Sequence, residues 1–278
     1  MANRTYYYCL VAGLPDLFLD ESEVHFPMGD FKDYLQEELT WEDNQLVQTL
    51  FLPYDHQNLI NILQGNAQSF SNLGNFSREQ LEETDAFVLP PYMLEFVNQY
   101  KNESKSKTSK QWENHITQLF YEYVARMDNT FLNDWFAFNK NLTNLLIGLN
   151  CREFERDPGN EIIGEDFVAE AIKNSTSKDF GLSSELNYLP QVLSSVDKDN
   201  LLNREKELDQ LKWNYLEELT LLHYFSVEVV LAYTIKLQMV YRWMQLDEET
   251  GRKIFKQIID ELKGHFEFSK EFLINEQR

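Results

Sequence analysis

Residues 225–246, FSVEVVLAYTIKLQMVYRWMQL, are apolar on almost every face of a helix and still carry Glu228, Lys236, Gln238 and Arg242. A helix that is hydrophobic all round is buried, either in the core of a large protein or in a bilayer. A membrane span of about 20 residues tolerates so many polar groups badly, whereas a core helix turns them toward partners or lets them snorkel to its ends. The stretch therefore demands other helices around it and predicts a soluble, helix-packed protein.

The rest of the chain supplies those helices. Phe31, Tyr34, Leu35 and Leu39 share one face; Thr40 is positioned to cap a second helix containing Leu46, Val47, Leu50 and Phe51, which Pro53 ends. Asp55 is positioned to cap a third through Leu63, Ser77 and Gln80 spell a capping box ahead of Leu81, and Pro90 and Pro91 open MLEFVNQYK. Two long patterns, Trp112 to Met127 and Phe131 to Leu149, keep i, i+3, i+4, i+7 spacing and break near Asp128 and Asn129, which predicts a helical hairpin. After a loop from Pro158 to Gly164 come short helices around Phe167 to Ile172 and Val192, a charged helix from about Leu201 to Leu222, the apolar helix, and a last one over Glu248 to Leu273.

No stretch alternates as successive strands do, so the expected fold class is all-α and multi-helix, with a short irregular or extended N-terminal segment. Within that segment YYYCLVA, residues 6 to 12, is open to being an extended piece or a single helical turn. Tyr6, Tyr7 and Tyr8 cannot all face inward in either conformation, which makes them candidates for an exposed aromatic surface. Phe131, Trp135 and Phe138 keep helical spacing and read as core.

The net charge of −21 is unevenly spread, with 16 Asp/Glu against 3 Lys/Arg in residues 1–100. Such a field repels nucleic acid and anionic head groups and favours basic partners. The lysine-rich KNESKSKTSK has no interleaved aromatic residue and reads as a linker, not a nucleic-acid patch. It divides the chain into an acidic helical part at 1–100, a polar linker at 101–111 and a long-helix part at 112–278, which can pack as one domain. Cys9 and Cys151, each among apolar neighbours, read as reduced core thiols. The opening lacks a signal-peptide core, so export is not indicated and the Asn-x-Ser/Thr sites read as coincidence.

Motifs that carry chemistry are missing. None of the five histidines, His25, His56, His115, His223 and His265, has a Glu three residues before it, as a dimetal bundle needs, and Glu261 with His265 is an incomplete metal shell. Gly is never followed by Lys, and neither Gly-x-Gly-x-x-Gly nor Gly-x-Ser-x-Gly occurs. The sequence therefore points to no catalytic, cofactor-binding or metal residue, and to a protein that is not an enzyme.

Residues 213–264, WNYLEELTLLHYFSVEVVLAYTIKLQMVYRWMQLDEETGRKIFKQIIDELKG, and the opening YYYCLVAGLPDL resemble an uncharacterised bacterial family encoded with subunits of rotary V-type ATPases. Ala232, Tyr233, Lys236, Arg242, Asp247, Glu248 and Glu249 are also similar to a late-helix pattern of the C-type subunit of V-type ATPases, whose eukaryotic counterpart is called d-type. DWFAFNKNLTNLLIGLNCREF, residues 134–154, resembles that family's internal helix built on Asp, Asn and Leu. The pattern departs at Gln238 or Val240, where the C-type family usually has an acid, at Trp243, where Asn is common, and in the opening, which lacks an Arg-bearing helix.

The resemblance implies a funnel of helices in roughly three similar units, seated on the cytoplasmic end of the membrane proteolipid ring and receiving the foot of the central stalk. Such a protein passes torque without chemistry in proton or sodium transport. On that reading it is cytoplasmic and peripheral to the inner membrane through the ATPase complex, inserts nothing into the bilayer, binds no nucleic acid and needs no cofactor. Glu37, Glu38, Glu42 and Asp43 are the candidates for its partner interface, because cytoplasmic loops of membrane proteins tend to be basic and complementary charge orients docking. Two alternatives stand beside it. One is an accessory or assembly factor absent from the mature motor. The other is a helical enzyme with a dispersed site, which predicts a deep pocket holding several ionisable groups of shifted pKa.

Overall fold

The computed structural model describes residues 5–19, 27–66, 69–84, 89–103, 106–159, 161–198 and 200–245. Among these residues are twelve α-helices and no strand. They are α1 (Tyr8–Gly13), α2 (Met28–Glu38), α3 (Trp41–Thr49), α4 (Leu52–Leu63), α5 (Arg78–Glu82), α6 (Pro91–Glu103), α7 (Ser109–Val124), α8 (Thr130–Glu153), α9 (Phe167–Asn174), α10 (Leu189–Val196), α11 (Leu201–Thr220) and α12 (Val227–Gln245). The fold is all-α, as the periodicity predicts. Of the two conformations open to residues 6–12, the chain takes the helical one from Tyr8. The last expected helix, His25 and His265 with Glu261 lie outside the described residues.

Caps set most of the boundaries. The Thr40 side chain accepts from the Asp43 N–H at 3.3 Å and opens α3. Reciprocal capping boxes at Ser77 with Gln80 and Thr108 with Gln111 open α5 and α7, and Asn129, Asp166 and Asn200 cap α8, α9 and α11. Pro53 does not end α3. It lies in the first turn of α4, where a missing N–H costs no intrahelical bond. Asp55 is not the cap of α4 either. Its buried carboxylate accepts from the Asn75 N–H at 2.8 Å and the Phe76 N–H at 3.1 Å, pinning the 73–76 loop onto α4. Gly74 is required there, since a Cβ would sit 2.3 Å from Asp55 Oδ1. Burial raises the Asp55 pKa, opposed by those backbone bonds and by Lys32.

The helices follow one another in a circuit. α7 packs on α4, α6 and α8; α8 packs on α9 and α10; α10 meets α11; α11 pairs with α12; and α12 packs on α2 and α3. Gln238 of α12 donates to the Leu50 carbonyl at 3.4 Å, beside the start of α4, so the chain of contacts closes on itself. Lys101 to Glu103 close α6, Ser109 opens α7, these two helices pack against each other, and one apolar core runs from Tyr7 to Val240. Phe131, Trp135 and Phe138 are in that core as expected. Tyr34 and Cys9 are not: both are exposed, one on the outer side of α2 and one on α1. Among the described residues no helix is long and apolar enough to cross a membrane.

Candidate functional site

A cavity of about 830 Å³, open to solvent on one side, lies between α4, α7, α8, α11 and α12. Phe120, Phe136 and Met239 line it together with Gln57, Asn139 and Gln238. That volume and mixed lining lie within the range of ligand pockets.

At its α11–α12 side the polar residues of the most apolar helix find their partners. Asp209, 1% exposed, accepts from Trp243 Nε1 at 2.7 Å, from Lys212 Nζ at 3.2 Å and from the Arg242 guanidinium. Two cations and an indole N–H make a buried carboxylate tolerable, where an unpaired one would cost several kcal/mol. Nearer the α12 N-terminus, Lys236 reaches Glu217 Oε1 at 3.1 Å and lies 4.5 Å over the Trp213 ring, while Tyr233 packs on Phe31 of α2 at 5.5 Å. Tyr233, Lys236 and Arg242, three of the residues that carry the resemblance to the C-type family, thus join α12 to its neighbours. Asp247, Glu248 and Glu249 lie outside the described residues.

His56 lies in the wall between α4 and α7. It is buried, its Nε2 is 2.6 Å from the Tyr92 hydroxyl, and its ring meets Phe120 edge-on at 5.1 Å. Burial lowers its pKa to about 3, so the ring is neutral at ordinary pH; the same cause raises Tyr121 to about 12 and Tyr92 well above the usual tyrosine value. Desolvation is the whole cause for His56 and Tyr121, as when polar rings are packed into a core; catalytic groups typically add a specific charge partner. Among the described residues, no three His, Cys, Asp or Glu side chains gather closely enough to hold a metal.

The predicted interface residues meet at one corner. Glu37 and Glu38 are exposed at the end of α2 and Glu42 at the start of α3. Asp43 lies in the same turn but is engaged: the Tyr7 hydroxyl donates to it, and the Thr40 N–H donates to that hydroxyl at 3.2 Å. Burial and Asp43 raise the Tyr7 pKa. The Tyr7 backbone N–H donates in turn to the Phe225 carbonyl at 2.6 Å, so buried Tyr7 ties α3 to the loop before α12. On either side of it Tyr6 and Tyr8 are exposed and stacked at 5.7 Å, and Tyr8 lies 4.8 Å from the Phe225 ring.

A family model covers residues 1–266 of this chain. The chain belongs to the DUF2764 family, described as a protein of unknown function. No curated protein and no solved structure matches it.

In this DUF2764 chain the corner is more apolar than its sequence predicts. Trp41 is 73% exposed, Leu222 81% and Tyr224 72%, with Leu221 beside them. A readable signal exists for the last three: α11 ends at Thr220, so apolar residues beyond it leave the face that its periodicity buries. Trp41 gives no such signal, since the first position of a short helix belongs to no complete turn.

Proposed function

We propose that this DUF2764 chain is a non-catalytic subunit of a rotary V-type ATPase that couples the central stalk to the proteolipid ring. The observation that carries this reading is the circuit of helices around a half-open cavity, the form a socket takes. On this reading the cavity receives the end of a stalk helix. The exposed acids Glu37, Glu38 and Glu42, with Asp43 in the same turn, support a docking role for the adjoining face, because opposite charge steers and orients association. On this reading the protein is cytoplasmic and peripheral to the inner membrane.

The test is co-purification. A Glu37→Lys, Glu38→Lys, Glu42→Lys triple variant, whose helical circular dichroism should be unchanged, is expected to fall away from the isolated ATPase; retention at wild-type stoichiometry would reject the docking face. Presence in the assembling but not the mature enzyme would assign an assembly factor instead. A helical enzyme is the second reading, and the cavity alone favours it, because His56 in its wall has the desolvation-only signature of a core ring. That reading requires turnover of some substrate that is lost when the cavity is blocked by Asn139→Trp.

A further inference from the structure

The Tyr7 tether brings exposed apolar side chains from three segments to one corner. Tyr6 stacks on Tyr8, Tyr8 meets Phe225, Tyr224 and Leu222 precede Phe225 in the same loop, and Trp41 follows Thr40, whose N–H holds the Tyr7 hydroxyl. Several large apolar side chains exposed at one corner of a monomer commonly mark an interaction site.

The charge around it selects the occupant. Glu37, Glu38 and Glu42 flank it on the α2–α3 side and exposed Glu218 on the α11 side. Lys32 is the single Lys or Arg among described residues 5–50, and it is directed elsewhere, donating to the Leu73 carbonyl at 3.1 Å and the Gly74 carbonyl at 2.6 Å. A second copy meeting this face about a twofold axis would bring the same acids against themselves, and an anionic bilayer would be repelled. A basic surface with an apolar stripe satisfies both the greasy centre and the acid rim, and an amphipathic helix carries both on one element.

We propose that this face, centred on Tyr8, Trp41, Leu222 and Tyr224, binds a basic amphipathic helix of a partner protein, its apolar stripe on these side chains and its Lys or Arg residues against Glu37, Glu42 and Glu218. The inference rests on reading the acidic corner as a docking surface, not on which complex supplies the helix.

The probe is a fluorescein-labelled Lys/Leu peptide of about 18 residues, five helical turns, with its leucines on one face. Two controls accompany it: a Glu/Leu counterpart, and a scramble of the same composition with its leucines spread round the helix. Anisotropy is read on the full chain at ~0.15 M salt, where charges more than about 8 Å apart are largely screened. The ordered basic peptide is expected to bind about tenfold tighter than the scramble, and the acidic one not to bind. Leu222→Ser with Tyr224→Ser, which leaves the net charge unchanged, should weaken binding about tenfold, the scale of a central aromatic contact. Glu37→Gln with Glu42→Gln should weaken it less and flatten its salt dependence, while Phe167→Ser, an exposed aromatic on α9, should change nothing.

Equal binding of the scramble, or indifference to the Leu222 and Tyr224 changes, would reduce the interaction to attraction toward an acidic chain and overturn the proposal. A dimer in sedimentation, dispersed by the same two changes, would overturn it in favour of a second copy. If peptide binding behaves as expected but the wild-type chain is absent from both the assembling and the isolated ATPase, the assignment to that motor fails and the partner chemistry stands; a wild-type chain that stays with the ATPase while the peptide test fails sinks this inference alone.

Discussion

His56 should make the protein acid-labile above the range where carboxylates titrate. Its folded pKa of about 3 lies below the unfolded value of 6.5, so the unfolded chain binds the extra proton between those two values. Stability is therefore complete above about pH 6.5 and declines as pH falls toward 3. At pH 5 the unfolded state gains about 2 kcal/mol over pH 7, because 1.5 units at about 1.36 kcal/mol each separate pH 5 from the unfolded pKa. For domains of this size that is roughly 4–8 °C in Tm. The control is a double variant, His56→Phe with Tyr92→Phe, which removes both members of the 2.6 Å hydrogen bond. Replacing both polar partners leaves no buried group unsatisfied and should cost little at pH 7, whereas either single change strands the other at about 1–3 kcal/mol. His115, whose pKa is lowered by burial and then by Lys107, contributes with the same sign but is common to both proteins and cancels in the difference. Asp55, raised by burial, acts with the opposite sign and cancels likewise. The assay is urea unfolding followed at 222 nm at pH 7 and pH 5. The wild type should lose about 2 kcal/mol more than the double variant between the two. Equal losses within about 0.5 kcal/mol, the usual scatter of such differences, would refute the reasoning.

Two further substitutions probe the circuit itself. Gly148→Ala should destabilise by about 1–3 kcal/mol in the same urea assay, because a Cβ there would lie 2.4 Å from Ile172 Cγ2 and 3.0 Å from Phe180 Cζ, both in buried side chains where α8 meets the α9 region. Asp209→Asn should cost about 1–3 kcal/mol, less than breaking a fully buried ion pair, because the Arg242 side chain, 43% exposed, can return to water. Lost helicity at pH 7 without denaturant would mean that the α11–α12 pairing rests on Asp209 alone.

What the sequence makes legible is local. Thr40 and Ser77 with Gln80 are readable because a cap involves residues three apart, and the α7–α8 hairpin is readable because its apolar faces run for several turns and break near Asn129. Pro53 and Asp55 mislead because their roles depend on partners far along the chain: Asp55 serves amides at 75 and 76, not the start of its own helix. Cys9 has apolar neighbours in sequence and Tyr34 shares helical spacing with Phe31 and Leu35, yet both meet solvent, since α1 and α2 are each covered on one side only. The cavity is not legible at all. It arises from the order in which α4, α7, α8, α11 and α12 pack, and no window of the chain contains more than two of them.

The apolar helix at residues 227–245 also separates what the resemblance to the C-type family can support from what it cannot. Its Tyr233, Lys236 and Arg242 are engaged with Phe31, with Glu217 and Trp213, and with Asp209. Residues used to fix one helix on its neighbours carry information about how the helices are arranged, and function is carried by what the arrangement leaves exposed. Trp41, Leu222, Tyr224 and the acids Glu37, Glu38 and Glu42 lie outside the late-helix pattern. A substitution at Lys236 or Arg242 that disturbed assembly of a larger complex would therefore report first on the α11–α12 pairing. Discrimination between a coupling component and any other binding protein has to come from the exposed corner and the cavity lining, whose side chains can be altered without loosening that pair.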